Sequence, residues 1–160
     1  MRREPTPSQT VGPFFGFALP FPGQEAAVDL AAPGALRIEG VLLDGHGEPV
    51  PDGLLELWQG DQFVRCSTDP EGAFHAVVRK PAAAAGQAPH LHVLVLARGL
   101  LKHVVTRLYF PDEAAANAAD PVLALVEPER RATLVARDEG GALRFDVRLQ
   151  GEGETVFFAR

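Results

Sequence analysis

The chain has 160 residues, a formal net charge of −6, a single cysteine and a single tyrosine. That length suits one domain with one substantial core. The acidic balance argues against a nucleic-acid partner, because phosphate binding needs a basic surface, and the lone Cys66 excludes an intrachain disulfide and a cysteine-based zinc cluster.

Residues 1–34 are proline-rich and lack periodicity. They are expected to form an extended N-terminal arm with a short helix near 24–30. The basic start is not followed by an apolar run of signal-peptide length. The longest mostly apolar run, 91–97, is too short to span a bilayer. No membrane role is expected, and the cytoplasm is the expected compartment. Phe14, Phe15, Phe17 and Phe21 make it implausible that the arm floats in water. It should pack on its own domain or on a partner chain.

From Ala35 the pattern changes to strands. Residues 36–40 (LRIEG) alternate apolar and charged side chains with period two. DGHG at 44–47 is a turn cluster, and LLELW at 54–58 a second strand. DPEG at 69–72 is a turn, and FHAVVR at 74–79 a third strand. An alanine-rich loop spans 81–89. Strands follow at 90–98 and 103–110. The acidic start and alanine content of 112–119 favour one short helix. Residues 121–126 form a turn, 127–131 a charged helical turn and 132–137 a short strand. Residues 143–149 (LRFDVRL) are the cleanest alternation in the chain, and 155–158 should close it as an edge strand. The expected fold is all-β: an antiparallel β-sandwich over 35–160, with the extended N-terminal arm and one or two short helices.

Three features could carry chemistry. In His90-Leu91-His92 the two imidazoles share one face of a strand, side by side. That suits cis coordination of one metal, and equally two hydrogen-bonded histidines. Arg107 shares a face with Val105 and Tyr109. It is either a rim arginine paired with a carboxylate or an anion stabiliser, for which its planar fork of donors is apt. In the arm, TPSQTVGPFF bends at Gly12-Pro13, where backbone can approach a ligand closely or simply pack. No nucleophile elbow, phosphate loop or H-E-x-x-H is present. Cys66 has no activating pattern around it and is expected to be inert.

Taken together, TPSQTVGPFF, LLELWQ, APHLHVLVLARG, the block TRLYFPDEAAANAADPVLALVEPERRATLVAR and LRFDVRLQGEGETVFFAR resemble the intradiol ring-cleavage dioxygenase family over nearly the whole chain, with a shortened middle. The resemblance implies a β-sandwich and αβ protomers built into a larger oligomer. It implies a non-haem Fe(III) held by two tyrosines and two histidines, since phenolate oxygens favour the ferric ion. His90 and His92 match the histidine ligand positions. No tyrosine follows Trp58-Gln59 or precedes His90, so two phenolates are missing. The resemblance therefore points to a subunit with no iron of its own. Its His90 and His92 would be vestigial, binding Zn²⁺ or Ni²⁺ weakly at most, and its β partner subunit would supply the Fe(III).

The implied reaction is O₂-dependent cleavage of protocatechuate to 3-carboxy-cis,cis-muconate at the α/β interface. This chain would line the pocket with Thr10, Gly12, Pro13 and Phe14. Phe14 stands where the family commonly has tyrosine. Arg107 would play a catalytic part by offsetting substrate charge. The competing expectations are a non-catalytic scaffold subunit and a stand-alone two-histidine, one-carboxylate metal site.

Overall fold

The computed structural model describes Pro7 and residues 12–158. Two sheets face each other. One carries β1 (Ala35–Leu43), β4 (Ala73–Arg79), β7 (Arg137–Asp138), β8 (Leu143–Arg144) and β9 (Val147–Arg148), in the order β4-β1-β8-β7 with β9 also on β1. The other has the order β3-β2-β5-β6, from β2 (Leu54–Gln59), β3 (Gln62–Ser67), β5 (His90–Leu96) and β6 (Val104–Tyr109), all antiparallel. The expected sandwich is present. Ile38, Leu42, Phe74, Ala76 and Val78 from the first sheet meet Leu55, Leu57, Val64, Leu91, Val93, Val95 and Leu108 from the second. Burying such side chains is worth roughly 1.5–3 kcal/mol each, which makes this layer the main source of stability. Cys66 is buried in it, and burial pushes its thiol up to about 12, so it is not a nucleophile at neutral pH.

Several elements depart from the sequence expectations. β3 has no counterpart among them. It forms because Gln59 pairs with Gln62 across Gly60-Asp61, a two-residue hairpin loop. Gly60 has φ +61°, which suits the first central position of such a turn. The helix expected near 24–30 is absent. There Gln24 O accepts from Arg65 N at 2.9 Å, while Glu25 O and Ala27 N bond Val77 at 2.8 Å each. The arm thus bridges β3 of one sheet and β4 of the other. It covers two edges that would otherwise show unpaired backbone.

The strand expected at 132–137 is reduced to β7, because a 3-10 helix runs from Pro128 to Leu134. The strand expected at 143–149 is split into β8 and β9, which run parallel to β1 rather than antiparallel. Register is the same on both sides of the break: Ile38 faces Leu143 and Leu42 faces Val147. Between them Phe145 turns into the core and Asp146 Oδ1 accepts from Val41 N at 3.1 Å, replacing ladder bonds. Gly40 permits this approach. A Cβ there would stand 1.9 Å from the Phe145 carbonyl oxygen.

The expected edge strand at 155–158 forms no ladder. It is nevertheless tied to β6, with Phe158 N donating to Val105 O at 2.8 Å and Thr106 Oγ1 donating to Val156 O at 2.7 Å. The helices are α1 (Phe15–Ala18) and α2 (Ala114–Ala119). α2 lies where the acidic start and the alanines predict it. Among the described residues no helix is long and apolar enough to cross a membrane.

Candidate functional site

Alternation on β2, β3, β5 and β6 sends one set of side chains into the core and the other to the outer face of the second sheet. Strand register then builds a row that no single segment reveals. Phe63 faces Trp58, Trp58 faces His92, and His92 faces Arg107. Trp58 stacks on His92, with ring centroids 4.6 Å apart and planes 26° apart. In the neighbouring row Arg65 grips Glu56 through Nε at 2.8 Å and Nη2 at 2.6 Å, and donates from Nη1 to the Leu19 carbonyl at 2.9 Å. Arg65 therefore fastens the arm beside the row.

His90 and His92 share a face as the H-x-H spacing predicts, with ring centroids 4.9 Å apart. His90 is only 3% exposed. Its Nδ1 lies 2.8 Å from Ala88 O, which can only accept, so Nδ1 carries the proton. Nε2 is then a lone-pair atom, buried and without a hydrogen-bond partner. Burial, reinforced by the Arg107 charge, holds the His90 imidazole below its ordinary pKa despite the Ala88 bond.

Tyr109 is fully buried beside His90, their ring centroids 5.5 Å apart. Its hydroxyl donates to Asp120 Oδ1 at 3.2 Å and accepts from Arg107 Nη1 at 3.2 Å. Burial pushes the Tyr109 phenol up to about 12, with Asp120 adding to that rise and Arg107 opposing it. Asp120 is 1% exposed. Burial alone would raise its carboxyl. The Leu123, Ala88 and Val122 N–H groups and the Tyr109 hydroxyl instead hold it below the usual carboxylate range.

Arg107, half-buried, also donates from Nη1 to Gln87 Oε1 at 2.8 Å, and its guanidinium lies 5.8 Å from the Phe158 ring centroid. Among the described residues Arg107 forms no ion pair with a carboxylate. Its partners are an amide, a phenol and an aromatic ring.

Gly12 (φ +65°), Pro13 and Phe14 form a 3-10 turn. Phe14 is 60% exposed, with its ring 5.4 Å from that of Phe17. Thr10 lies outside the described residues. Residue patterns alone did not single out Trp58, Gln87 or Asp120 as site residues. Nothing in their local sequence signals that they converge.

The resemblance implies a ferric ion held by two tyrosines and two histidines. His90 Nε2 could donate to a metal. The only tyrosine, Tyr109, is committed to Asp120 and Arg107, and Asp120 is itself saturated by N–H and O–H donors. Among the described residues no group of three or more His, Cys, Asp or Glu could hold a metal ion. With a single tyrosine the chain does not fit a two-tyrosine, two-histidine ferric site, and among the described residues no carboxylate joins the two histidines in a metal site.

A two-sheet sandwich with a His-x-His pair on an outer face is what the resemblance to the intradiol ring-cleaving dioxygenases implies. The backbone resembles the dioxygenase domain of a dioxygenase–carbohydrate-binding protein fusion from Streptomyces sp. SirexAA-E, at a TM-score of 0.65 and 28% identity, covering 92% of this chain and 99% of that one. No family model matches the sequence. The protocatechuate 3,4-dioxygenase alpha chain of Burkholderia cepacia is 44% identical over 191 residues, 96% of this chain and 96% of that one. The beta chain of the Burkholderia cepacia enzyme is 28% identical over 154 residues, 74% of this chain and 65% of that one. The chain belongs to the family of protocatechuate 3,4-dioxygenase alpha chains.

Proposed function

We propose that this chain acts as an iron-free α subunit. Its β partner carries the Fe(III), and the αβ protomers join into a larger oligomer that cleaves protocatechuate with O₂ to 3-carboxy-cis,cis-muconate in the cytoplasm. The observation that carries this is the commitment of the only tyrosine. Tyr109 holds Arg107 and Asp120, and no second phenol exists to complete a ferric ligand set. What remains suits binding. Arg107 presents a fixed positive charge on the outer face of the second sheet, where a carboxylated substrate needs one. Thr10, Gly12, Pro13 and Phe14 would complete this chain's share of the pocket wall. Exposed Phe14, Phe17 and Phe21 give the arm, residues 1–34, an aromatic surface for the partner chain.

Purified alone, the chain should lack the visible colour of tyrosinate-bound Fe(III) and should not cleave protocatechuate. Co-expressed with a β chain, it should form an active complex. A coloured, active preparation of this chain by itself would refute the proposal. In the complex, Arg107→Ala should lower turnover of protocatechuate and leave the iron content unchanged. Unaltered kinetics in that variant and in arm variants at Thr10 and Pro13 would leave only a scaffolding role.

A further inference from the structure

The two acceptors that hold the Arg107 guanidinium come from distant parts of the chain, yet both are held by one carboxylate. Tyr109 donates its hydroxyl to Asp120 Oδ1 at 3.2 Å, and Ala88, the residue after Gln87, donates its N–H to Asp120 Oδ2 at 2.8 Å. Asp120 also caps its own turn through Val122 N and Leu123 N, at 2.8 and 2.9 Å, so it cannot swing away.

Arg107 spends its Nη1 hydrogens on Gln87 and Tyr109, and Phe158 backs the guanidinium. Among the described residues, Nε and Nη2 make no hydrogen bond or ion pair. That edge is the two-pronged face of a guanidinium that pairs with a carboxylate in bidentate fashion.

The geometry points to Asp120, acting through Tyr109 and Gln87, as the positioning residue that aims the Nε–Nη2 edge of Arg107 at the substrate carboxylate. It thereby makes the complex discriminate carboxylated catechols from catechol itself. This rests on Arg107 meeting the substrate, as proposed above. A guanidinium on a free stem would still supply charge. It would lose the fixed orientation that makes the pair directional and that avoids an ordering cost on binding.

The test uses the assembled complex and compares kcat/KM for protocatechuate with that for catechol. Arg107→Ala should reduce the protocatechuate value about a hundredfold and change the catechol value by less than about twofold. Tyr109→Phe removes one acceptor and keeps the ring. Gln87→Ala removes the other. Each should lower protocatechuate kcat/KM about three- to tenfold, mainly through KM, with catechol unaffected.

If Arg107→Ala collapses the preference while both single-acceptor variants keep it within about twofold, positioning by Asp120 is refuted and the substrate contact stands. If Arg107→Ala leaves the preference intact, the contact itself is refuted. Equal losses on both substrates in Tyr109→Phe and Gln87→Ala would mean a merely structural role and would also overturn the inference. Should Tyr109→Phe fail to assemble, Gln87→Ala, in a loop, carries the test.

Discussion

His90 and Arg107 lie on adjacent strands of one sheet and have opposite fates. His90 stands where the resemblance implies a metal ligand, and its buried Nε2 has no hydrogen-bond partner. Arg107 has an amide, a phenol and a ring around it, and the phenol is itself anchored on a buried carboxylate. An orphaned polar atom is a cost to the fold, whereas a completed network restricts geometry. On the proposed function, the metal-binding half has lapsed and the binding half is the one still used, and in it both Nη1 hydrogens of Arg107 are assigned.

The largest expected effect lies at the anchor of that network. Asp120→Asn would set an amide N–H₂ against backbone N–H donors and should destabilise the fold by about 2–3 kcal/mol at pH 7, measured by denaturant titration. The pH dependence sharpens this. The folded state holds the Asp120 carboxyl below its ordinary 3.8, so its contribution is complete above that value and is lost as pH falls through the lower folded value. The gap between Asp120→Asn and the native chain should therefore narrow below about pH 3.8, and a constant gap would assign the loss to shape.

Next in size is Arg107→Ala, with its roughly hundredfold loss on protocatechuate at unchanged iron content. Tyr109→Phe and Gln87→Ala follow, at about three- to tenfold. Smallest is His90→Leu. It removes an orphaned nitrogen at the cost of the Ala88 bond and should shift stability by less than about 1 kcal/mol, with kinetics of the complex unchanged. Loss of activity in His90→Leu would erase the contrast between the two positions.

Much of the scaffold was legible residue by residue. Period-two alternation located β1, apolar stretches between turn and loop signals located β2, β4, β5 and β6, and an acidic start with alanines located α2. The failures share a cause: pairing partners far away in the chain. β3 was missed because its alternation leaves Phe63 exposed and takes meaning only from the hairpin across Gly60-Asp61. Residues 143–149 alternate cleanly, yet Gly40 and Asp146 break the ladder. A short helix was expected near 24–30, but the backbone of Gln24, Glu25 and Ala27 is claimed by Arg65 and Val77 on two different sheets. At the site, His90, His92 and Arg107 were visible from spacing and resemblance. Trp58, Gln87 and Asp120 were not, since they join the cluster only through strand register and loop closure.

Composition by itself determined that this chain cannot supply two phenolates, because folding cannot add a second tyrosine to a sequence that has one. Strand periodicity likewise determined that the two histidines share a face. Only the tertiary structure decided what that single tyrosine does instead. Hydrogen bonds are short-ranged and directional, so the role of Tyr109 depends on which donors and acceptors the fold brings within reach. Here these are a guanidinium two residues away on β6 and a carboxylate eleven residues on, past α2.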